Sequence, residues 1–351
     1  MLAATCLLLG GCNLAYYGQA INGELKILRA RRPLQAVIAD PTTPAAVRTK
    51  LKLVLTARHF ASAKLDLPKG KGYTSYVALK RSYPVWVVYA APEFSLTPKH
   101  WCFPFAGCVP YRGYFHKKDA EAFAAGLARQ GNDVLVTGAP AYSTLGWFSD
   151  PVYSSMLQWG KVELAGMLFH ELAHQKLYIE NAPTFNESFA DTVEAIGVAR
   201  FFVGRDPGAL EDWRTGRKAD RATAAAVKEA RASLAVIYGS KAADGQKREE
   251  KQAEFGWLTG RYRTVGKRYG IRYSSEWLAT LNNASLAQMV TYDRWVPAFK
   301  HLLRCENGDL AAFYKAAARI GALPAEKRTV RLEKLAASNA ACFPLRSRIR
   351  K

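Results

Sequence analysis

With 351 residues, 49% of them hydrophobic and 12% aromatic, the chain can bury the core of one large or two modest domains, which excludes a disordered chain. Fifty Lys and Arg against 29 Asp and Glu leave a net charge of +21, which favours contact with polyanions: nucleic acid, anionic membrane surfaces or acidic cell-wall polymers. The bases fall in many short groups, as at 28–32, 213–221 and 346–351, and no zinc finger or aromatic RNA-binding signature accompanies them, which argues against a nucleic-acid function.

Residues 1–12 form a short apolar run ending in small residues, too short to span a bilayer, and read as a signal peptide for export. Met1–Thr5 carries neither Lys nor Arg, a departure from usual signal peptides that leaves open a start upstream of Met1. The end of the run, Leu9-Gly10-Gly11-Cys12, is similar to a bacterial lipobox, which implies lipidation of Cys12 and an anchor holding the exported chain to the envelope on the periplasmic side. Asn13 after that cysteine is compatible with transfer to the outer membrane. Four cysteines then remain, and an oxidising compartment lets them form two disulfides. Cys102 with Cys108 would close a small loop, and Cys305 with Cys342 would staple the C-terminal helices.

Along the chain, 13–31 and 44–64 have helical periodicity, with Pro44 where a helix would begin. From 73 to 115, β-branched and aromatic runs broken by Pro and Gly predict strands; a helix is expected over 117–130 and a strand over 133–139. After 155 nearly everything reads as helix: charged, Ala-rich segments at 206–268 with an exposed hairpin tip at 236–251, then 284–304, 308–321 and 324–340. The expected fold class is α+β and predominantly helical, with a small mixed or antiparallel sheet in the N-terminal half and a helical C-terminal half. No internal repeat, linker or later membrane span is visible, so 13–351 reads as one unit: helices plus sheet to 150, a site-bearing pair of helices over 151–205, and a helical part over 206–351.

That middle part carries the chemistry. His170-Glu171-Leu172-Ala173-His174 puts two imidazoles one turn apart on a helix, so both can reach one Zn2+ ion per chain, with Glu171 facing water there as general base. Asn186-Glu187-Ser188-Phe189-Ala190-Asp191 follows a turn containing Pro183 and supplies Glu187 as the third ligand. Asp191, one turn later on the same face, is the expected acceptor for the non-ligating N–H of His170. Glu180 is a rival third ligand, disfavoured by its place at the helix end.

His-Glu-x-x-His followed by Asn-Glu-x-x-Ala resembles the gluzincin clan, which includes thermolysin-like endopeptidases and metallo-aminopeptidases. More narrowly, Tyr16–Ala20, Cys102–Tyr114, Ala141–Phe148 and Asn282-Asn283-Ala284 are similar to a family of bacterial lipoproteins catalogued as aminopeptidases, nearly end to end. The resemblance implies a zinc aminopeptidase acting on peptides in the cell envelope. The interval from His174 to Glu187 is shorter than in the best-known gluzincins, and the Gly-x-Met-x-Asn strand of one large aminopeptidase family is absent.

A downstream Tyr or His often steadies the oxyanion in such sites, which makes Tyr292 the first candidate, then Tyr262 and His301. Gly138, Ala139 and Tyr142 belong to a segment that either pairs with an extended peptide as an edge strand or packs beneath the site. Asp150 before Pro151 reads as a helix N-cap rather than an amine-binding group. A retained Glu171 argues for an enzyme over a non-catalytic envelope lipoprotein that binds peptides or anionic polymers. The partners implied are a peptide and, through the lipid, a membrane; no obligate protein partner is indicated.

Overall fold

The computed structural model describes residues 2–103, 107–141, 149–289, 294–337 and 342, with side chains from residue 15 onward. In chain order the elements begin α1 (Leu2–Ala30), β1 (Arg32–Pro33), α2 (Leu34–Ala39), α3 (Ala45–Lys64), β2 (Ser75–Val77) and β3 (Val85–Pro92). There follow β4 (Trp101–Phe103), β5 (Gly107–Val109), β6 (Arg112–Tyr114), α4 (Lys117–Ala128), β7 (Asn132–Ala139) and β8 (Val152–Tyr153). The remainder is helical: α5 (Lys161–Lys176), α6 (Pro183–Phe202), α7 (Pro207–Gly239), α8 (Asp244–Tyr269), α9 (Ser275–Leu278), α10 (Asn283–Gln288), α11 (Val296–Cys305), α12 (Leu310–Gly321) and α13 (Ala325–Ala337). The fold is a predominantly helical α+β fold.

Two expectations change. The stretch 284–304 holds two helices, α10 and α11, because Pro297 is accepted in the first turn of a helix and not in its interior. Asp150 and Pro151 lead into the short strand β8, so Asp150 caps no helix.

The chain divides into two compact units, one comprising Met1–Pro33, Thr74–Gln158 and Arg214–Val290, the other Leu34–Tyr73, Trp159–Trp213 and Thr291–Lys351. In the first, β6, β3 and β7 form an antiparallel sheet in that order, and β1, β2 and β8 a second, small mixed one. Ala120, Ala124 and Leu127 of α4 pack on Val88 and Ala90 of β3 and on Tyr114. Cys102 and Cys108 face each other across the β4–β5 ladder and are disulfide-bonded. The α7–α8 hairpin has its own core of Ala226, Ala230, Leu234, Leu258 and Tyr262, with Leu278 and Leu286 packed in. α10 is tied to the sheet through Asn282, whose Nδ2 donates to Val134 O at 2.9 Å, and Asn283, whose Nδ2 donates to Glu93 O at 2.9 Å.

The second unit is built on α3, α5 and α6. Leu51, Val54, Ala57 and Ala61 give α3 a buried stripe at helical spacing. Phe60 of α3, Phe169 of α5 and Phe201 of α6 meet ring to ring at 5.1–6.1 Å between centroids. Phe169 and Phe201, both fully buried, each contribute roughly 1.5–3 kcal/mol of transfer free energy. On the other side of α6, Phe189 stacks on Phe313 of α12 and meets Phe299 of α11. Cys305 and Cys342 are disulfide-bonded at the end of α11.

The approach of α5 to α6 depends on Gly197, where a Cβ would lie 2.6 Å from the Phe169 ring and 2.9 Å from Leu65. Gly197→Ala gains about 1 kcal/mol of helix propensity but overpacks a filled core, which costs about 1–3 kcal/mol. The expected net result is a lowered melting temperature, measured by thermal unfolding; a raised one would show that Phe169 can move aside.

Candidate metal centre

Burial sets the orientation of α5. Leu164, Ala165, Leu168, Phe169, Leu172 and Ala173 are buried, so the helix can turn only its remaining face outward. His170 and His174 sit at the border of that face, their side chains 17% and 18% exposed, with Glu171 half-buried between them in sequence. The helix ends at Lys176 and the chain reverses through a short turn. Asn181 adopts φ 56° there, a conformation Asn tolerates, and Pro183 opens α6 where no N–H is needed.

Asn186 locks that turn. Its side chain is buried, accepting from Ile179 N and donating to Ile179 O, both at 2.8 Å, as a backbone strand partner would. This fixes the start of α6 against the end of α5 and brings the next residue, Glu187, to the histidines. Glu187 Oε2 lies 3.2 Å from His170 Nε2 and its Oε1 3.6 Å from His174 Nε2, while the two Nε2 atoms are 3.1 Å apart.

That triangle matches a metal site. Ligand atoms about 2.0–2.1 Å from a tetrahedral ion lie about 3.3 Å from one another, close to the separation of the two Nε2 atoms and to that of each from its nearer Glu187 oxygen. His170, His174 and Glu187 therefore form a group that could hold a metal ion with a further position open to water or substrate. The electrostatics agree. Burial alone would depress His170, but hydrogen bonding to Asp191, Glu187 and Glu194 raises its pKa well above the usual value. Burial alone would raise Glu187, but hydrogen bonds to His170 and His174 hold it down at about 2. The surroundings thus favour positive charge where the three ligand atoms meet, and a divalent cation could supply it in place of a proton.

Behind this triangle is a layer the sequence revealed only in part. His170 Nδ1 lies 3.4 Å from Asp191 Oδ1, the partner read from the sequence, and equally 3.4 Å from Glu194 Oε2, which was not. Glu187, Asp191 and Glu194 stand at i, i+4 and i+7 on α6, so the same-face rule that pointed to Asp191 points to Glu194 as well. Room for Glu194 is made by Gly166, one turn before His170, where a Cβ would lie 3.0 Å from Glu194 Oε1 and 3.2 Å from Val198. Two carboxylates on Nδ1 fix the tautomer that leaves Nε2 free for an ion. The Nδ1 of His174 is buried without a hydrogen bond among the described residues, so His170 is the more firmly held of the two.

The other candidates separate. Glu180 is exposed in the turn and outside the ligand group. Tyr292 and Tyr142 lie outside the described residues, as does the side chain of Cys12. Tyr262 is 6% exposed in the α7–α8 core with its hydroxyl 3.6 Å from Met289 Sδ, contacts that account for it as a core residue. His301 is buried on α11, its Nδ1 3.3 Å from Arg304 Nη2; it is grouped with Cys305 and Cys342, whose sulfurs are in a disulfide and so not available as ligands. Gly138 and Ala139 are on β7, which pairs with β3 along one edge, and the Tyr83 ring occupies the space where a Cβ of Gly138 would point.

A family profile described as putative aminopeptidase matches residues 15–332. No curated protein and no solved structure matches the chain.

Removing one acceptor from His170 tests the double clamp. Glu194→Gln should weaken divalent-metal binding about 10- to 100-fold while leaving the helical content unchanged, and Gly166→Ala should weaken it in the same direction by crowding Glu194. Competition with a chromophoric chelator reads both; an unchanged affinity in Glu194→Gln would leave Asp191 as the sole anchor.

Proposed function

Because the chain belongs to the putative aminopeptidase family, we propose that it cleaves peptides as a zinc-dependent aminopeptidase, with His170, His174 and Glu187 holding one zinc ion and Glu171 as general base. The observation that carries the reading is the convergence of two imidazole Nε2 atoms and one carboxylate at ligand spacing, beside a Glu placed between the histidines in sequence. A bound zinc ion would polarise a peptide carbonyl and acidify water. Glu171 takes a proton from the attacking water and returns it to the leaving amine, a role suited to a half-buried carboxylate on the helix that carries both histidines. Asp191 and Glu194 keep His170 oriented throughout. Tyr292 is the proposed oxyanion donor, on the strength of its place in the sequence.

Gly138, Ala139 and Tyr142 are the proposed peptide contacts. Support comes from β7, which hydrogen-bonds to β3 on one side, so that an extended peptide could add along the other. A signal-like run ending in Leu-Gly-Gly-Cys12, together with two disulfides, supports an exported chain anchored by lipid in the bacterial envelope. Among the described residues no helix is long and apolar enough to cross a membrane.

Glu171→Gln should retain stoichiometric zinc and lose about 10²- to 10⁴-fold in turnover of aminoacyl reporter substrates, the range for losing a general base. Blocking the substrate's amino terminus should abolish cleavage by the unmodified chain. Equal turnover in Glu171→Gln would remove it from the chemistry; cleavage of blocked peptides would make the enzyme an endopeptidase; zinc bound without cleavage of any peptide would favour a non-catalytic peptide-binding lipoprotein.

A further inference from the structure

The second half of α8 carries a concentration of charge that the metal centre does not use. Between Glu254 and Glu276 the sequence holds five bases, Arg261, Arg263, Lys267, Arg268 and Arg272, and no acidic residue. Leu258, Tyr262, Val265 and Gly266 turn inward to the α7–α8 core. The opposite face, with Trp257, Arg261, Arg263, Thr264, Lys267 and Arg268, is exposed over about 16 Å, three helical turns. None of the five bases has a carboxylate partner among the described residues. Asp220 of α7 is the acidic group whose charge reaches the neighbouring Tyr262 and Tyr273. Lys267 and Arg268 are favourable next to the helix C-terminus, but that effect fades within the last turn and does not account for Arg261 and Arg263.

Aromatic side chains accompany the charge. Trp257 is 36% exposed with the Arg261 guanidinium 5.7 Å from its ring centre; Arg268 lies 5.4 Å from the ring of Tyr269; Trp277 of α9 is 37% exposed. Surface tryptophans beside unpaired Arg and Lys are the composition of a helix resting in a lipid headgroup layer, where the rings bury shallowly and the cations meet phosphates. Shape distinguishes this from nucleic-acid binding. A helix face is convex and suits a planar anionic surface, whereas single strands are held in grooves with free ring faces for stacking, and here Arg261 and Arg268 already lie by two of the rings.

We propose that the Trp257–Arg268 face of α8 docks the protein on an anionic phospholipid surface, independently of any peptidase activity. The test uses the full chain with Cys12→Ser, so that no acyl chain contributes, and sedimentation with phosphatidylglycerol-containing or pure phosphatidylcholine vesicles. One variant carries R261Q, R263Q, K267Q and R268Q; a charge-matched control carries K52Q, K64Q, K315Q and K334Q, all exposed positions of the other unit. Salt-sensitive binding to the anionic vesicles alone is expected, weakened at least about tenfold in the α8 variant and little in the control. Equal weakening in both variants would reduce the effect to overall charge and overturn the assignment, as would no binding to anionic vesicles. A parallel arm with single-stranded RNA overturns the lipid assignment if α8-dependent binding appears there and not with vesicles. The eight side chains replaced by Gln are all exposed, and matching melting temperatures verify that each variant is folded.

Discussion

Close packing of α5 on α6 is the constraint from which the candidate metal centre follows. Two small residues of unlike purpose make it work. Gly197 lets the Phe169 ring settle against α6, and Gly166 leaves a space for the Glu194 carboxylate. Once the helices are this close, the i, i+4 histidines of one and the i, i+4, i+7 carboxylates of the other face each other without any long-range loop. The turn between them is short and held by Asn186, so Glu187 has little freedom to miss its target. The short interval between His174 and Glu187 is thereby accommodated: Glu187 sits on the second turn of the very next helix.

The candidate centre also shows how a half-buried cluster of like charges is tolerated. Glu187, Asp191 and Glu194 would repel one another if nothing positive stood among them, and their combined effect is to push His170 towards its charged form. A metal ion would replace that proton with two charges and satisfy the same carboxylates, so ion and proton would compete and metal binding should weaken as pH falls. The carboxylates that would repel one another without a positive charge among them are the same ones that would hold and orient the ligands of an ion.

Much of this was legible in the sequence because it depends on spacing along helices. His170, Glu171, His174, Glu187 and Asp191 are ordered by the 3.6-residue period, and the structure brings the four ligand and acceptor groups among them together. Glu194 obeys the same period, but no sequence motif marks it; only the space above Gly166, a tertiary fact, shows why a Glu at that position reaches the histidine. The strand-rich segment 73–115 and the hairpin of α7 and α8 were readable from residue texture. The split of 284–304 into α10 and α11 was signalled by Pro297 and overridden by the apolar periodicity around it. Division into two units, each assembled from three separated stretches of chain, left no composition change to read. Tyr292 and Tyr142 rest on sequence position alone.

X-ray absorption at the metal edge, on chain loaded with one equivalent of zinc, tests the central claim most directly because it counts ligand types without requiring a substrate. The account predicts nitrogen and oxygen scatterers alone at about 2.0–2.1 Å, with the multiple-scattering signature of two imidazoles that falls to one in His174→Ala. Sulfur in the first shell, or a spectrum unchanged by removing His174, would contradict it.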